Sequence, residues 1–264
     1  MSTEAGIASV TKPVEPSNDD ANTNPASPPV ADGVKAADVT TNTAPVNDIP
    51  PSVETCRKVE DYPVFDNKGN QHSFKSIYDG PDSPRRVLVI FIRHFFCGPT
   101  QKSCQEYVRA LSESFKPADL LQLPVPTSFA FIGCGDPGLI DFYAKETGCE
   151  FPIFADPTTK LFDDLQMIST LALGPRPEYF QKSMVRIVAE SAYQAARNLT
   201  TGLVTKAGDH RQVGGDFLFE ASEEGGSKVV TWCHRMTTTR DHTSPQELAQ
   251  ILDKDGQILL PKNN

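Results

Sequence analysis

The sequence predicts an α/β protein in which a central mixed sheet is flanked by helices and preceded by a disordered N-terminal tail. The apolar, β-branched run from Val87 to Ile92 is typical of a strand that is covered on both faces. Strand-like and helix-like segments then alternate, which favours parallel neighbouring strands joined by right-handed crossovers. Finally, the composition changes near residue 52, where apolar residues become frequent.

The predicted tail comprises residues 1–52, which contain no leucine and no aromatic residue. A segment of this composition cannot bury enough apolar surface to offset its chain entropy, so we expect it to be disordered. Residues 53–264 form the predicted domain. Helical spacing of apolar residues between about 178 and 200 indicates a helical insertion within it.

Composition narrows the classes of function. A formal charge of -9 argues against nucleic acid or an anionic membrane as the main partner. Six cysteines are too few for a disulfide scaffold, and they form no paired C-x-x-C clusters of the kind that indicate a zinc site. The chain shows no membrane-spanning run and no apolar secretion segment. We therefore expect a cytoplasmic protein with reduced cysteines and no metal.

The first ordered elements are predicted as a β-hairpin that leads into the central strand. A strand near Tyr62 to Phe65 meets the turn signal Asn67-Lys68-Gly69-Asn70, and Gln71 to Ile77 is predicted to return from it. The central strand then runs from Val87 to Arg93.

A helix is predicted to begin near Cys104, because Ser103 and Glu106 have the spacing of a capping box. A second strand, Ser128 to Gly133, ends at Cys134. Since parallel strands end at the same edge of a sheet, we expect Cys134 to lie near the loop that follows the central strand.

Later elements complete the predicted sheet. Asp136 is expected to cap the helix after the second strand, and a short helix is expected from Lys160 to Met167. An antiparallel hairpin is predicted from Gly214 to Phe219 and from Lys228 to Met236. A final helix follows the capping box Ser244 to Glu247.

Cys97 is the candidate reactive residue, because it lies between the central strand and a helix start. Helix N-terminal amides lower the pKa of a cysteine placed there and so favour the nucleophilic thiolate. A second interpretation is an inert thiol packed beside Phe95 and Phe96, where burial would raise the pKa instead.

Several motifs resemble one protein group. R-H-F-x-C at Arg93 to Cys97 and C-Q-E-Y at Cys104 to Tyr107 are similar to motifs of the thioredoxin-fold AhpC/TSA proteins called peroxiredoxin-like, of the peroxiredoxin-like 2 type. Further similarity lies at Phe151 to Thr158 and at Trp232 to His242, in the same order as in that group. The resemblance covers roughly residues 55 to 252.

This resemblance implies a thioredoxin-like fold and a thiol-dependent antioxidant oxidoreductase that reduces a peroxide or a disulfide. Cys97 would become a sulfenic acid or a mixed disulfide, which Cys104 or Cys134 would resolve. No organic cofactor is implied. Electrons would come from a dithiol reductant such as a thioredoxin or glutathione system.

Basic residues near the motifs are candidate auxiliaries. Arg93 and His94 would hold the thiolate or polarise a peroxide oxygen, or would only pair with carboxylates. Arg235 belongs to a polar cluster at a strand end, interpreted either as a solvated rim of ion pairs or as part of the catalytic site. The members of this cluster are His234, Arg235, Arg240, Asp241 and His242.

The spacing of the two cysteines departs from the group. Its members carry the cysteines three positions apart, whereas Cys97 and Cys104 are seven apart. If both were helical, their Cα atoms would be roughly 10 Å apart, beyond the ~7 Å limit for a disulfide, so a bridge requires Cys97 to lie in a loop. The departure favours an alternative function, a thioredoxin-fold binding or regulatory module with little or no catalysis.

Overall fold

The computed structural model describes residues 48–95, 103–178, 206–222 and 226–253. Cys97, most of the predicted tail and nearly all of the predicted insertion lie outside these residues. The last residues of the predicted tail are described and contact the domain: the backbone N–H of Arg235 donates to Asp48 Oδ1 at 2.8 Å, and Arg235 Nη1 donates to the carbonyl of Ile49 at 3.0 Å.

The described strands form one mixed sheet. They are β1 Pro63–Phe65, β2 Gln71–Ser73, β3 Arg86–Phe91, β4 Thr127–Gly133, β5 Ile153–Ala155, β6 Gly215–Glu220 and β7 Val229–Arg235. Their order is β2-β1-β5-β4-β3-β6-β7. β3, β4 and β5 are parallel neighbours, and the other pairs are antiparallel. The mixed sheet of the prediction is therefore confirmed.

Helices cover both faces of this sheet. They are α1 Val53–Val59, α2 Phe74–Asp79, α3 Ser103–Ser114, α4 Pro117–Leu121, α5 Ile140–Thr147, α6 Lys160–Asp164 and α7 Pro245–Leu252. Alternate residues of the fully buried β3 face opposite ways. Leu88 and Ile90 pack in a core with α3, α5 and α7, whereas Val87 and Val89 pack in a second core with α1, α2 and α6. This arrangement is a thioredoxin-like fold.

Two local predictions were wrong. The chain from Phe74 to Asp79 is helical rather than extended, because the Ser73 hydroxyl accepts from the Ser76 N–H and begins α2 after a three-residue strand. Ser103 lies within α3 instead of capping it, and its hydroxyl donates to the carbonyl of Thr239 at 3.0 Å. The contact ties the first turn of α3 to the segment after β7.

Other signals were confirmed. Asp136 Oδ1 accepts from the Gly138 N–H at 2.8 Å and caps a short 3-10 helix, Pro137–Leu139, that leads into α5. The Ser244 hydroxyl and the Glu247 carboxylate form the predicted capping box of α7. Because β3 and β4 are parallel, both end at one edge of the sheet, which we call the carboxyl edge.

Candidate active site

The carboxyl edge contains the residues after β3, namely Arg93, His94 and Phe95, together with Cys134 after β4. Phe95 is fully buried, with its ring 5.5 Å from that of Tyr143. Cβ atoms added at Gly133 and Gly135 would lie 2.8 Å and 2.7 Å from the Phe95 ring, so this close packing requires glycine at both positions. The described chain therefore ends, before the segment that contains Cys97, at a fixed point.

Arg93 is fully buried and is anchored to backbone carbonyls. Its Nε donates to the carbonyl of Gln212 at 3.3 Å, and its Nη2 donates to that of His210 at 2.6 Å. The guanidinium thus connects the end of β3 to the segment 206–213, which lies over the carboxyl edge.

His94 lies beside the same covering segment. It is 1% exposed, and the edge of its ring meets His210 at a centroid distance of 4.7 Å and an angle of 85°. No sequence pattern predicted the contact between these two imidazoles, because His210 is more than a hundred residues from His94 along the chain.

Cys134 is a buried thiol with a carbonyl partner. Its Sγ–H donates to the carbonyl of Arg93 at 2.7 Å, and a Cβ added at Gly208 would lie 2.8 Å from its sulfur. Burial raises the pKa of Cys134 to about 12, and coupling to Asp209 and Cys104 also acts to raise it. Cys134 is therefore a thiol at neutral pH.

Cys104 is the second residue of α3 and is fully buried. Interaction with Cys104 contributes to the raised pKa of Cys134, so the two side chains lie near each other. The structure therefore brings Arg93, His94, Cys104 and Cys134 together at this edge. Cys97 lies outside the described residues, between Phe95 and the start of α3.

Burial also raises the pKa of three further thiols and so keeps them protonated at neutral pH. It raises the pKa of Cys149 to about 11 and raises the pKa values of Cys56 and Cys233 above their ordinary value. None of these three thiols, nor Cys134, is a thiolate at neutral pH.

Arg235 has a different environment from the carboxyl edge. It is 2% exposed, its Nε donates to the carbonyl of Leu165 at 2.7 Å, and its guanidinium lies 5.2 Å from the ring centre of Phe217. Together with its contact to Ile49, these bonds join β7 to α6 and to the segment before α1. The cysteine that Arg235 meets is Cys233 of β7, with Nη1 at 3.2 Å from its sulfur, rather than Cys104 or Cys134 of the carboxyl edge.

Asp216 on β6 is a buried carboxyl group that the sequence did not single out. The Thr243 hydroxyl donates to its Oδ2 at 2.6 Å. Burial raises the pKa of Asp216, although the charge of His234 and the hydrogen bond from Thr243 oppose the shift. The only sequence signal was the alternation of β6, which places Asp216 on the same face as Leu218 and hence towards the core.

The described residues contain no group of three or more His, Cys, Asp or Glu side chains arranged to hold a metal ion. No described helix is long and apolar enough to cross a bilayer.

The chain is similar in sequence to a known protein family and to individual known proteins. A family model described as AhpC/TSA antioxidant enzyme matches residues 110–238, just under half of the chain. Peroxiredoxin-like 2C of Homo sapiens is 25% identical over 196 residues, which cover 74% of this chain and 78% of that protein. Peroxiredoxin-like 2C of Mus musculus is 25% identical over 199 residues with the same coverage. The family-model match begins after Cys104.

Solved structures give weaker matches. A peroxiredoxin Q of Xanthomonas campestris is 13% identical with a TM-score of 0.42, covering 75% of this chain and 94% of that chain. A secreted disulfide oxidoreductase of Mycobacterium tuberculosis is 10% identical with a TM-score of 0.37, covering 74% of this chain and 96% of that chain. Because both TM-scores are below 0.5, the thioredoxin-like fold is assigned from the strand order and from the sequence relatives.

Proposed function

We propose that this chain, which is similar to peroxiredoxin-like proteins and to AhpC/TSA antioxidant enzymes, is a thiol oxidoreductase that reduces a peroxide or a disulfide through Cys97. The observation that carries the proposal is the carboxyl edge. There, β3 ends at a fixed point, and the segment containing Cys97 joins it to α3, which begins at Ser103. A helix start favours the thiolate, whereas burial keeps four of the described cysteines protonated.

The proposed cycle uses thiol chemistry alone. The Cys97 thiolate attacks one peroxide oxygen, the O–O bond breaks, and the leaving oxygen takes a proton to depart as water or an alcohol. This oxidises Cys97 to a sulfenic acid. A second thiol then attacks the Cys97 sulfur, a disulfide forms and water leaves. A dithiol reductant restores both thiols by exchange.

Cys104 is the resolving thiol that the geometry favours. The Cys134 thiol donates to the Arg93 carbonyl, and its raised pKa makes it a poor nucleophile at neutral pH. Cys104 lies in the first turn of α3, directly after the segment that contains Cys97. Since Cys104 is fully buried, formation of the bridge requires this first turn to open.

Arg93 and His94 support this chemistry by position. Arg93 donates to the carbonyls of Gln212 and His210 in the covering segment, which favours a role in fixing the start of the segment that contains Cys97. His94 packs on His210 at the same place. We propose Arg93 as a positioning residue rather than a catalytic one.

A binding or regulatory module is the second candidate function. Two observations favour it: the seven-residue separation of Cys97 and Cys104, and the complete burial of Cys104. Under this alternative the fold is retained and the thiol cycle does not run.

Intact mass spectrometry after treatment with peroxide separates the two functions. We expect wild type to lose ~2 Da as the bridge forms, Cys104→Ser to gain ~16 Da as the sulfenic acid persists, and Cys97→Ser to remain unchanged. Cys134→Ser should behave as wild type and is the matched control. An unchanged wild-type mass would favour the module. A bridge that persists in Cys104→Ser but disappears in Cys134→Ser would reassign the resolving thiol.

The partners and the location of the protein are also part of this proposal. The substrate is a peroxide or a disulfide, and the electron donor is a thioredoxin or glutathione system. A cytoplasmic location stays a prediction from the composition.

A further inference from the structure

Residues 237–243, which we call the post-β7 turn, follow β7 and are held by side-chain hydrogen bonds. Asp241 Oδ2 accepts from the backbone N–H of Thr237 at 2.8 Å and from its hydroxyl at 2.6 Å. The Thr243 hydroxyl donates at 2.6 Å to the Asp216 carboxyl group of β6, which is fully buried. The post-β7 turn is therefore closed on itself and tied to the sheet.

The loop after α6 supports the post-β7 turn. The backbone N–H of Thr239 donates to the carbonyl of Ala172 at 2.8 Å. Gly174 has a φ of +66°, and a Cβ added there would overlap the Thr238 hydroxyl. This loop therefore packs closely against the turn and limits where the turn can lie.

Ser103 and Tyr107 of α3 rest on the post-β7 turn. The Ser103 hydroxyl donates to the carbonyl of Thr239 at 3.0 Å, and the Tyr107 ring stacks on the ring of His242 at a centroid distance of 4.1 Å and an angle of 11°. Because Ser103 and Tyr107 are four residues apart in α3, both side chains lie on one face of the helix. Cys104 lies between them in the chain and is fully buried.

The burial of Cys104 makes its reactivity depend on a local opening. A reagent or a second sulfur reaches a fully buried thiol only after the structure around it opens. Ser103 and Tyr107 flank Cys104, so opening the first turn of α3 breaks the bond to Thr239 and separates the stacked rings. Each of these contacts therefore lowers the population of the open state.

We propose that the post-β7 turn controls the opening of the first turn of α3, with His242 as the positioning residue that holds Tyr107 and so keeps Cys104 closed. The turn thereby sets the rate at which Cys104 attacks the oxidised Cys97 sulfur. This inference rests on the proposed function, because it takes Cys104 as the resolving thiol and names what limits its reaction.

Native-state alkylation by maleimide measures the opening directly. All proteins in this experiment are full-length and carry Cys97→Ser, so the labelling of Cys104 depends neither on oxidation nor on the thiol cycle. When the turn closes faster than maleimide reacts, the labelling rate reports the population of the open state. Labelling is followed peptide by peptide, with the buried Cys134 as the internal reference for opening of the whole domain.

His242 variants test the positioning role. His242→Ala removes the ring that stacks on Tyr107 and should speed labelling of Cys104 by roughly tenfold relative to Cys134. His242→Phe keeps a flat ring on Tyr107 and should restore the slow labelling of the parent protein. A general loss of stability would instead speed the labelling of Cys104 and Cys134 by the same factor, because both would be exposed by unfolding of the domain.

A variant behind the turn tests the same claim without touching α3. Gly174→Ala pushes against Thr238 and should speed labelling of Cys104 severalfold. Gly148→Ala is the matched control, because Gly148 also has a positive φ, +67°, but no atom lies within 4 Å of an added Cβ. It should leave the ratio of Cys104 to Cys134 labelling unchanged.

The proposal is overturned if the ratio of Cys104 to Cys134 labelling is the same in the parent protein, His242→Ala and Gly174→Ala, or if His242→Phe labels as fast as His242→Ala. If His242→Ala fails to fold, Gly174→Ala and its control decide the question. With Cys97 restored, His242→Ala should form the peroxide-induced bridge faster than wild type. A wild type that forms no bridge contradicts the proposed function alone, since the labelling of Cys104 is measured without it.

Discussion

The carboxyl edge and the β7 cluster, which consists of Asp48, His234 and Asp241, both lie where strands end, but their polar groups have different partners. At the carboxyl edge, the Arg93 guanidinium and the Cys134 thiol both donate to neutral backbone carbonyls. In the β7 cluster, His234 Nδ1 lies 3.1 Å from the Asp48 carboxylate and Nε2 lies 3.7 Å from that of Asp241.

This difference sets the protonation of each region. Carbonyl partners do not compensate for the desolvation of a thiolate, so burial holds Cys134 as a thiol. Carboxylate partners outweigh the desolvation of an imidazolium, so His234 remains charged. Among the described residues, the carboxyl edge therefore holds a neutral thiol, whereas the end of β7 holds a cation.

The largest expected effect on stability concerns the cover over Cys134. Gly208 has a φ of +100°, and an added Cβ would lie 2.7 Å from the carbonyl oxygen of Cys134 and 2.8 Å from its sulfur. Gly208→Ala should lower the free energy of unfolding by about 4 kcal/mol in urea denaturation. Gly148→Ala is the control, because its φ is +67° with no atom within 4 Å, and it should cost about 1 kcal/mol. Equal losses would show that Gly208 does not close over Cys134.

The two buried arginines sharpen the comparison further. Arg93→Met and Arg235→Met should each lower the free energy of unfolding by about 3 kcal/mol, because each leaves carbonyls without their donors. Only Arg93→Met should also slow alkylation of Cys97, by roughly tenfold, because Arg93 anchors the residues that directly precede the segment containing Cys97. Equal alkylation rates in both variants would remove the positioning role of Arg93.

A pH effect of moderate size is expected from His234. Its folded pKa of about 10 exceeds its ordinary value of 6.5, so its stabilisation is fully present below about pH 6.5 and is lost as the pH rises through about 10. Wild type should exceed His234→Gln in unfolding free energy by roughly 1–2 kcal/mol at pH ~6, and the difference should vanish near pH ~10. A difference independent of pH would show that His234 is neutral.

The smallest expected effect concerns the link between the two regions. Ser103→Ala removes the hydroxyl that donates to Thr239 and should cost about 1 kcal/mol in thermal or urea unfolding. Ser112→Ala is the matched control, since Ser112 is a buried serine of the same helix whose hydroxyl donates to Val108 within α3 and also interacts with the Cys149 thiol, and it should cost less than Ser103→Ala. If both variants cost the same, the contact with Thr239 does not stabilise the first turn of α3.

Local signals in the sequence predicted much of the fold. The apolar run at β3, the Asp136 cap and the Ser244 capping box act within a few residues, so their structural effect is encoded locally. The helix from Phe74 to Asp79 was missed because the apolar residues there fit a returning strand as well as a helix.

The site was predicted only in part, because its contacts are long-range. Parallel strand order predicted that Cys134 lies at the same edge as the residues after β3, and this was confirmed. No local pattern indicated that Gly208 and His210 would cover that edge, or that Tyr107 would stack on His242. Such contacts join residues distant in sequence and are determined by packing rather than by propensity.

Alkylation of each cysteine by a maleimide in the full-length protein, followed peptide by peptide between about pH 5 and about pH 9, tests the central claim most directly. We expect Cys97 to react fully by about pH 7, with Cys134 and Cys149 unreactive in the same sample as internal references. If Cys97 reacts only above about pH 8, in step with an ordinary thiol, it is not a thiolate at neutral pH, and the proposed oxidoreductase is contradicted.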